Sequence, residues 1–378
     1  MAKKKICLIY TGGTIGMEEV PHETLPNQWV RKPPRDTSSF FRIAPEIQNY
    51  ADVELVKIEV ESVNGEKNFL NKDSTDINPI DWTLIAKAIF ERKDKFHGFV
   101  VAHGTDTMHF TASAIAFAFG QNLNFPIVFT GAQTTAFVPH GDARINLIRA
   151  VRVAIENYAE VSICFGDYVF RGCRTQKKDE KKFDAFESPA FFPLADITEE
   201  IIWHPLAKKI VPKEEEVELD FRPEFELGLV QFSLIPGLLP KQFMPLLDAS
   251  EIKGVILQSF GAGNVPFEGE FSFEPFIKKA VERNIPVIIA SQFPANSTLH
   301  SIYEPGMKAR EAGAIPTGNM TNAAATAKFR WVLSQTLSDI RQGNLDQSKK
   351  IARVTEKMTQ VYVNEMDDAL TKQRIMEA

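Results

Sequence analysis

Short apolar runs alternate with amphipathic stretches along most of this chain, and that alternation limits the fold more than any other feature. Runs such as Phe99-Val100-Val101-Ala102 lack a polar partner at every second position, as strands covered on both faces do. Lys5–Tyr10, 53–60, Gly98–Ala102, 126–130 and Val161–Phe165 read as strands, with helices expected at 78–92, 107–119 and 143–156. Asn78-Pro79 marks one helix start, an N-cap followed by proline in the first helical position. Units of this kind build an α/β domain, a mostly parallel sheet flanked by helices.

At 378 residues the chain exceeds what one hydrophobic core usually serves, so two domains are expected. The break falls in the polar stretch 212–223, which carries Glu214-Glu215-Glu216. The expected order is a larger N-terminal domain (1–211), a linker (212–226), a smaller α/β C-terminal domain (227–345) and a helical tail (346–378). In the second domain, strands are expected at 227–232, Gly254–Ser259 and 286–290, and helices at 241–247, 273–283 and 321–337. A mostly charged helix is expected over 349–377. Residues 18–42 are rich in proline and charge, show no clear period, and read as a long loop serving as a lid.

With 43 basic against 49 acidic residues the chain carries a net charge of −6, which argues against a nucleic-acid partner. No apolar run reaches the ~20 residues a membrane helix needs, and the run after Lys3 to Lys5 is too short for a signal-peptide core. Cys7, Cys164 and Cys173 are odd in number and lack ligand spacing, so neither a disulfide framework nor a zinc site is expected. These features together read as a cytoplasmic protein.

Two glycine turns carry the chemistry. Thr11-Gly12-Gly13-Thr14-Ile15-Gly16 follows the first strand directly, and the paired glycines allow a sharp bend and close ligand approach. The spacing matches neither G-x-G-x-x-G nor a phosphate loop ending in Gly-Lys-Ser/Thr. His103-Gly104-Thr105-Asp106-Thr107-Met108 is placed the same way after Gly98–Ala102. Capping explains one of its polar residues, not three, while His103 at a buried strand end reads as hydrogen-bonded structure. Asp73-Ser74-Thr75-Asp76 taken alone is an ordinary cap, and Lys177, in the charged run from Lys177 to Lys182, is by default a solvated charge.

Taken jointly, these motifs resemble the bacterial-type asparaginase family. Further matches are Thr130-Gly131-Ala132-Gln133, Asp142-Ala143-Arg144-Ile145-Asn146-Leu147, Arg171-Gly172 through Lys177, Phe183-Asp184-Ala185-Phe186 and Gly261-Ala262-Gly263-Asn264. The likeness spans roughly 4–337, and the Tyr10-Thr11 start with Asp184-Ala185-Phe186 is most similar to the cytoplasmic type I branch. The resemblance implies a cofactor-free hydrolase of L-asparagine in which Thr14 is the nucleophile and passes through a β-aspartyl ester. Thr105, Asp106 and Lys177 would form the second catalytic group. Ser74 and Thr75 would hold the substrate α-carboxylate and Asp106 its α-ammonium. Backbone N–H groups near Thr105 and Ala132 would surround the oxyanion. Asn264 would reach the site of a neighbouring subunit in a homodimer or homotetramer.

The sequence departs from the family at one place. The family's tyrosine in the loop after the first motif has no counterpart between 17 and 49, where Trp29 is the nearest large aromatic and has no hydroxyl. Help for Thr14 would then come from Tyr10, Tyr303 or the Lys177 group. The alternatives are a glutaminase or tRNA-linked amidohydrolase, the latter expected to carry an extra N-terminal domain, and a non-catalytic sensor of asparagine or aspartate.

Overall fold

The computed structural model describes residues 2–21, 23–25, 27–32, 41–42, 44–61, 67–136, 138–293 and 304–367. Two compact units divide the chain at Pro223/Glu224. In the first, the elements run β1 (Lys5–Tyr10), β2 (Glu18–Pro21), β3 (Trp29–Lys32), α1 (Ile47–Tyr50), β4 (Asp52–Val56), β5 (Glu59–Glu61), β6 (Lys67–Phe69), α2 (Pro79–Phe90), β7 (Gly98–Ala102), α3 (Met108–Phe119) and β8 (Ile127–Thr130). Then follow α4 (Ala143–Ala154), β9 (Val161–Phe165), β10 (Tyr168–Arg171), β11 (Gln176–Lys177), β12 (Phe186–Glu187), β13 (Ala195–Ile197) and β14 (Ile201–Trp203).

An eight-stranded sheet in the order β14-β13-β10-β9-β8-β7-β1-β4 forms the frame of this unit. From β4 to β9 neighbouring strands are parallel; β10, β13 and β14 extend the sheet as antiparallel edge strands. Strands β7, β8 and β9 are buried at every position, which is why they read as unbroken apolar runs. One core layer packs Ile6, Leu8, Val100 and Val128 with Leu147 and Val151 of α4. The register sets Tyr10 beside Ala102 and Ala102 beside Thr130, so the turns after β1, β7 and β8 leave the sheet side by side.

The second unit contains β15 (Leu229–Ser233), β16 (Gly254–Ser259), α5 (Glu274–Glu282), β17 (Val287–Ser291), α6 (Glu304–Glu311), β18 (Ile315–Pro316), α7 (Asn322–Arg341) and α8 (Lys350–Thr359). Its strands form a parallel sheet in the order β15-β16-β17-β18. Leu257 and Ile289 pack with Phe273, Phe276 and Ile277 in its core. Among the described residues, no helix is long and apolar enough to cross a membrane.

Several local expectations give way to specific contacts. The strand expected at 53–60 breaks into β4 and β5. In place of a helix at 241–247 there are two 3-10 turns, Pro240–Gln242 and Met244–Asp248, because Pro245 cannot donate the bond a continuous helix needs there. The tail helix ends at Thr359. Beyond it, Glu365 turns back to accept N–H groups of Tyr362 and Val363. Part of the stretch expected as an unpatterned lid is a hairpin, β2 paired with β3. The segment expected as a linker lies against the first unit as far as Pro223: Phe221 stacks on Phe90 at 4.1 Å, and Arg222 N–H bonds Ala118 O.

Candidate active site

The turn after β1 is possible only with glycine. Gly12 and Gly13 have φ of 122° and 88°. A Cβ on Gly12 would stand 1.9 Å from Lys72 O, and one on Gly13 would stand 2.4 Å from Gly104 Cα. The first glycine turn is therefore packed directly on the second. The same close approach repeats outward: a Cβ on Gly104 would meet Ser74 Oγ at 2.7 Å, and one on Gly131 would meet His103 O at 2.5 Å. Four loops, near 11–14, 72–75, 103–106 and 131–133, thus converge at the carboxyl ends of β1, β7 and β8, where ligands bind in open α/β sheets.

Thr14 opens a 3-10 turn, Thr14–Gly16, and is half-buried. Among the described residues, no side chain hydrogen-bonds its hydroxyl. Beneath it, the buried Tyr10 phenol donates to Gly13 O at 3.4 Å, and burial pushes its pKa above the ordinary value. Tyr10 therefore braces the turn as a protonated phenol and is poorly suited to remove a proton. Trp29 is 67% exposed on β3, and Tyr303 lies outside the described residues.

The second turn carries a hydrogen-bonded cluster of polar side chains. Lys177 Nζ donates to Thr105 Oγ1 at 2.8 Å and to Asp106 Oδ1 at 2.6 Å. Thr105 in turn donates to Gln133 Oε1 at 3.2 Å. Lys177, at the end of β11, keeps only 13% of its side chain exposed, whereas Asp106 keeps 57%. By donating to its oxygen, Lys177 polarises the Thr105 hydroxyl. Its neighbour Lys178 points away and pairs with Asp184 at 2.7 Å.

The capping residues do less capping than their types suggest. Thr107, the N-cap of α3, makes no cap bond; its hydroxyl donates to Ser74 O at 2.6 Å and ties the two loops together. Ser74 is buried, while Thr75 is exposed with its N–H and hydroxyl on Asp73 Oδ1, both at 2.9 Å. Asp142 accepts the N–H groups of Gln133 and Thr134 at 3.0 Å each. Among the described residues, no acceptor takes the N–H groups of Thr105 and Ala132. In the second unit, Asn264 sits in a tight turn after β16, its N–H on Phe260 O at 2.8 Å.

His103 is structural. It is fully buried with Nδ1 2.7 Å from Gly104 O and Nε2 3.0 Å from Thr111 Oγ1, and burial lowers its pKa to about 4. That pattern assigns a neutral ring whose Nδ1–H donates and whose Nε2 accepts.

Gln133, the Lys72–Asp81 pair (2.8 Å) and His109 also line these loops, with no role marked by their sequence context. His109 faces Phe186, the residue paired with Lys177, and burial and then the Lys177 charge lower its pKa to about 4. Only Gln133 lay within a quoted motif; the others meet their partners through tertiary folding.

Comparison with known proteins bears on both units. The family model described as Asparaginase, N-terminal, matches residues 5–208, and that described as Glutaminase/Asparaginase C-terminal domain matches 230–342. L-asparaginase 1 of Escherichia coli K12 is 33% identical over 340 residues, which cover 89% of this chain and 94% of that protein. A glutamyl-tRNA(Gln) amidotransferase component of Aeropyrum pernix is 32% identical over 357 residues, 89% of this chain and 76% of that one. The solved structure of the thermostable L-asparaginase from Thermococcus kodakarensis superposes with a TM-score of 0.78 at 27% identity, covering 97% of this chain and all of that one.

Proposed function

The chain belongs to the asparaginase family, and from that membership we propose how it hydrolyses L-asparagine to L-aspartate and ammonia. Thr14 Oγ1 attacks the side-chain amide carbon. The negative charge that develops on the amide oxygen is held by the N–H groups of Thr105 and Ala132, fixed donors of the kind that contribute most to acyl transfer. The hydroxyl proton of Thr14 passes to the amide nitrogen as the C–N bond breaks, so ammonia leaves and a β-aspartyl ester remains on Thr14. Water then adds to the ester carbon, one of its protons returns to Thr14 Oγ1 as the C–O bond breaks, and aspartate is released. Ser74 and Thr75 hold the α-carboxylate. Asp106 gives one oxygen to Lys177 and offers the other to the α-ammonium.

Lys177 acts through the Thr105 hydroxyl, to which it donates. Asn264 of a neighbouring subunit closes the site in a homodimer or homotetramer, and the protein works in the cytoplasm. The observation that carries this reading is the direct packing of the Gly13 turn on the Gly104 turn, which brings the nucleophile's loop against the Thr105–Asp106–Lys177 cluster. Thr14→Ala should keep the fold and lower ammonia release from asparagine by about 10³-fold or more; undiminished release would sink the mechanism.

Similarity to the amidotransferase component supports a second reading in which glutamine is the amide donor. Parallel turnover assays with asparagine and glutamine decide it: the first reading requires a higher kcat/KM for asparagine.

A further inference from the structure

Within the second unit the parallel sheet has two ends. The carboxyl end leads into the turn that holds Asn264. The amino end, where β15, β16 and β17 begin, opens into a pocket of about 610 Å³ bounded also by the last turn of α7 and the first residue of α8. Its charged lining is Lys253, Arg283, Arg341 and Lys350 against Glu226 and Asp248, a positive excess in a chain of net charge −6.

Most of these charges have local duties. Arg283 and Arg341 stand at the carboxyl ends of α5 and α7, where a cation complements the helix dipole. Asp248 pairs with Arg283. Glu226 Oε1 accepts the N–H groups of Leu227 and Gly228 at 3.0 Å each. Lys253 donates to Ser250 O at 2.6 Å.

Lys350 does not fit this account. It is only 4% exposed, yet among the described residues its ammonium has a single acceptor, Lys253 O, at a long 3.4 Å, and no carboxylate within ion-pair distance. It is also the first residue of α8, the positive end of that helix, where a cation is disfavoured. Burial and then the Lys253 charge pull its pKa down to about 8. Lys328, the other buried lysine among the described residues of this unit, shows how the fold satisfies such a group: it donates to Met358 O at 3.0 Å, to Gln360 O, and to Glu365 Oε1 at 2.6 Å.

An anion would relieve both costs, because it would pair the buried ammonium and bring negative charge to the positive end of α8. We propose that this pocket binds a compact dianion, of phosphate or dicarboxylate type, with Lys350 as its central contact and Arg341 and Lys253 beside it.

The test is thermal unfolding of the full chain in inorganic phosphate or succinate, against potassium chloride at matched ionic strength. Wild type should gain about 2 °C in Tm at a tenfold excess over Kd, and the stronger of the two arms identifies the anion type. Lys350→Met should match or exceed wild-type Tm in chloride and lose the anion-dependent gain. Arg341→Gln, at an exposed position, should keep its chloride Tm with a reduced gain, and asparagine turnover should be unchanged in both. An equal gain in wild type and Lys350→Met, no gain from either anion, or a Lys350→Met chain much less stable in chloride would each overturn the proposal.

Discussion

At the residue scale, glycine and histidine explain how the loops are held. Gly12 and Gly13 were legible in the sequence because a pair of glycines after a strand has few other uses, and their φ values supply the reason. Lys177 could be separated from Lys178 only by motif register. In the structure the two neighbours point opposite ways, one to Thr105 and Asp106, the other to Asp184. His103, with its pKa lowered from 6.5 to about 4, makes a pH prediction. Between those values the unfolded chain binds a proton that the folded chain refuses, so stability rises with pH through this window and falls as pH drops through it. His103 should contribute about 3 kcal/mol of that fall. Urea unfolding between pH 7.5 and pH 4 checks it. His103→Gln should show a shallower decline; an unchanged slope would remove His103 from the account.

At the level of elements, the helix starts were readable and the contacts joining them were not. Asn78-Pro79 announces α2, and the capping box forms, with Asn78 accepting from Ile80 N–H and Asp81 from Asn78 N–H. The sequence does not reveal that Asp81 also binds Lys72, whose own N–H bonds Thr11 O beside the Gly12 turn. Nine residues separate that pair, and only the tertiary path of the loop closes it. Asp81→Ala removes a cap bond and leaves a half-buried ammonium without its partner, for a loss of about 2 kcal/mol. Chemical denaturation should show the lower midpoint, with a parallel fall in kcat as the Gly12 turn loosens. A variant as stable and as active as wild type would mean that Asp81 does not brace the site. Pro245 is the contrary case: the apolar spacing at 241–247 suggested one helix, and one proline is enough to leave two 3-10 turns.

At the scale of the whole molecule, two α/β units were legible from periodicity alone, because buried parallel strands cannot hide their apolar runs. The antiparallel edge formed by β10, β13 and β14 was not, since edge strands are short and mixed in polarity. Nor can a monomer sequence carry quaternary arrangement except by resemblance. If Asn264 completes the neighbour's site, Thr14→Ala and Asn264→Ala chains, each impaired alone, should complement when unfolded together and reassembled. Half the dimers would then hold one intact site, so about a quarter of wild-type activity should return in an equal mixture. Activity no higher than the mean of the two parents would place Asn264 in its own subunit's site or outside catalysis.

Hydrolysis by this route requires a covalent bond to one threonine. Rapid acid quenching of the enzyme turning over asparagine, followed by peptide mass mapping, looks for that bond directly. A mass increment of one aspartyl residue should appear on the peptide containing Thr14 and be absent in Thr14→Ala. An adduct on Thr105 instead, or steady ammonia release with no adduct on any threonine under conditions that trap acyl esters, would contradict it.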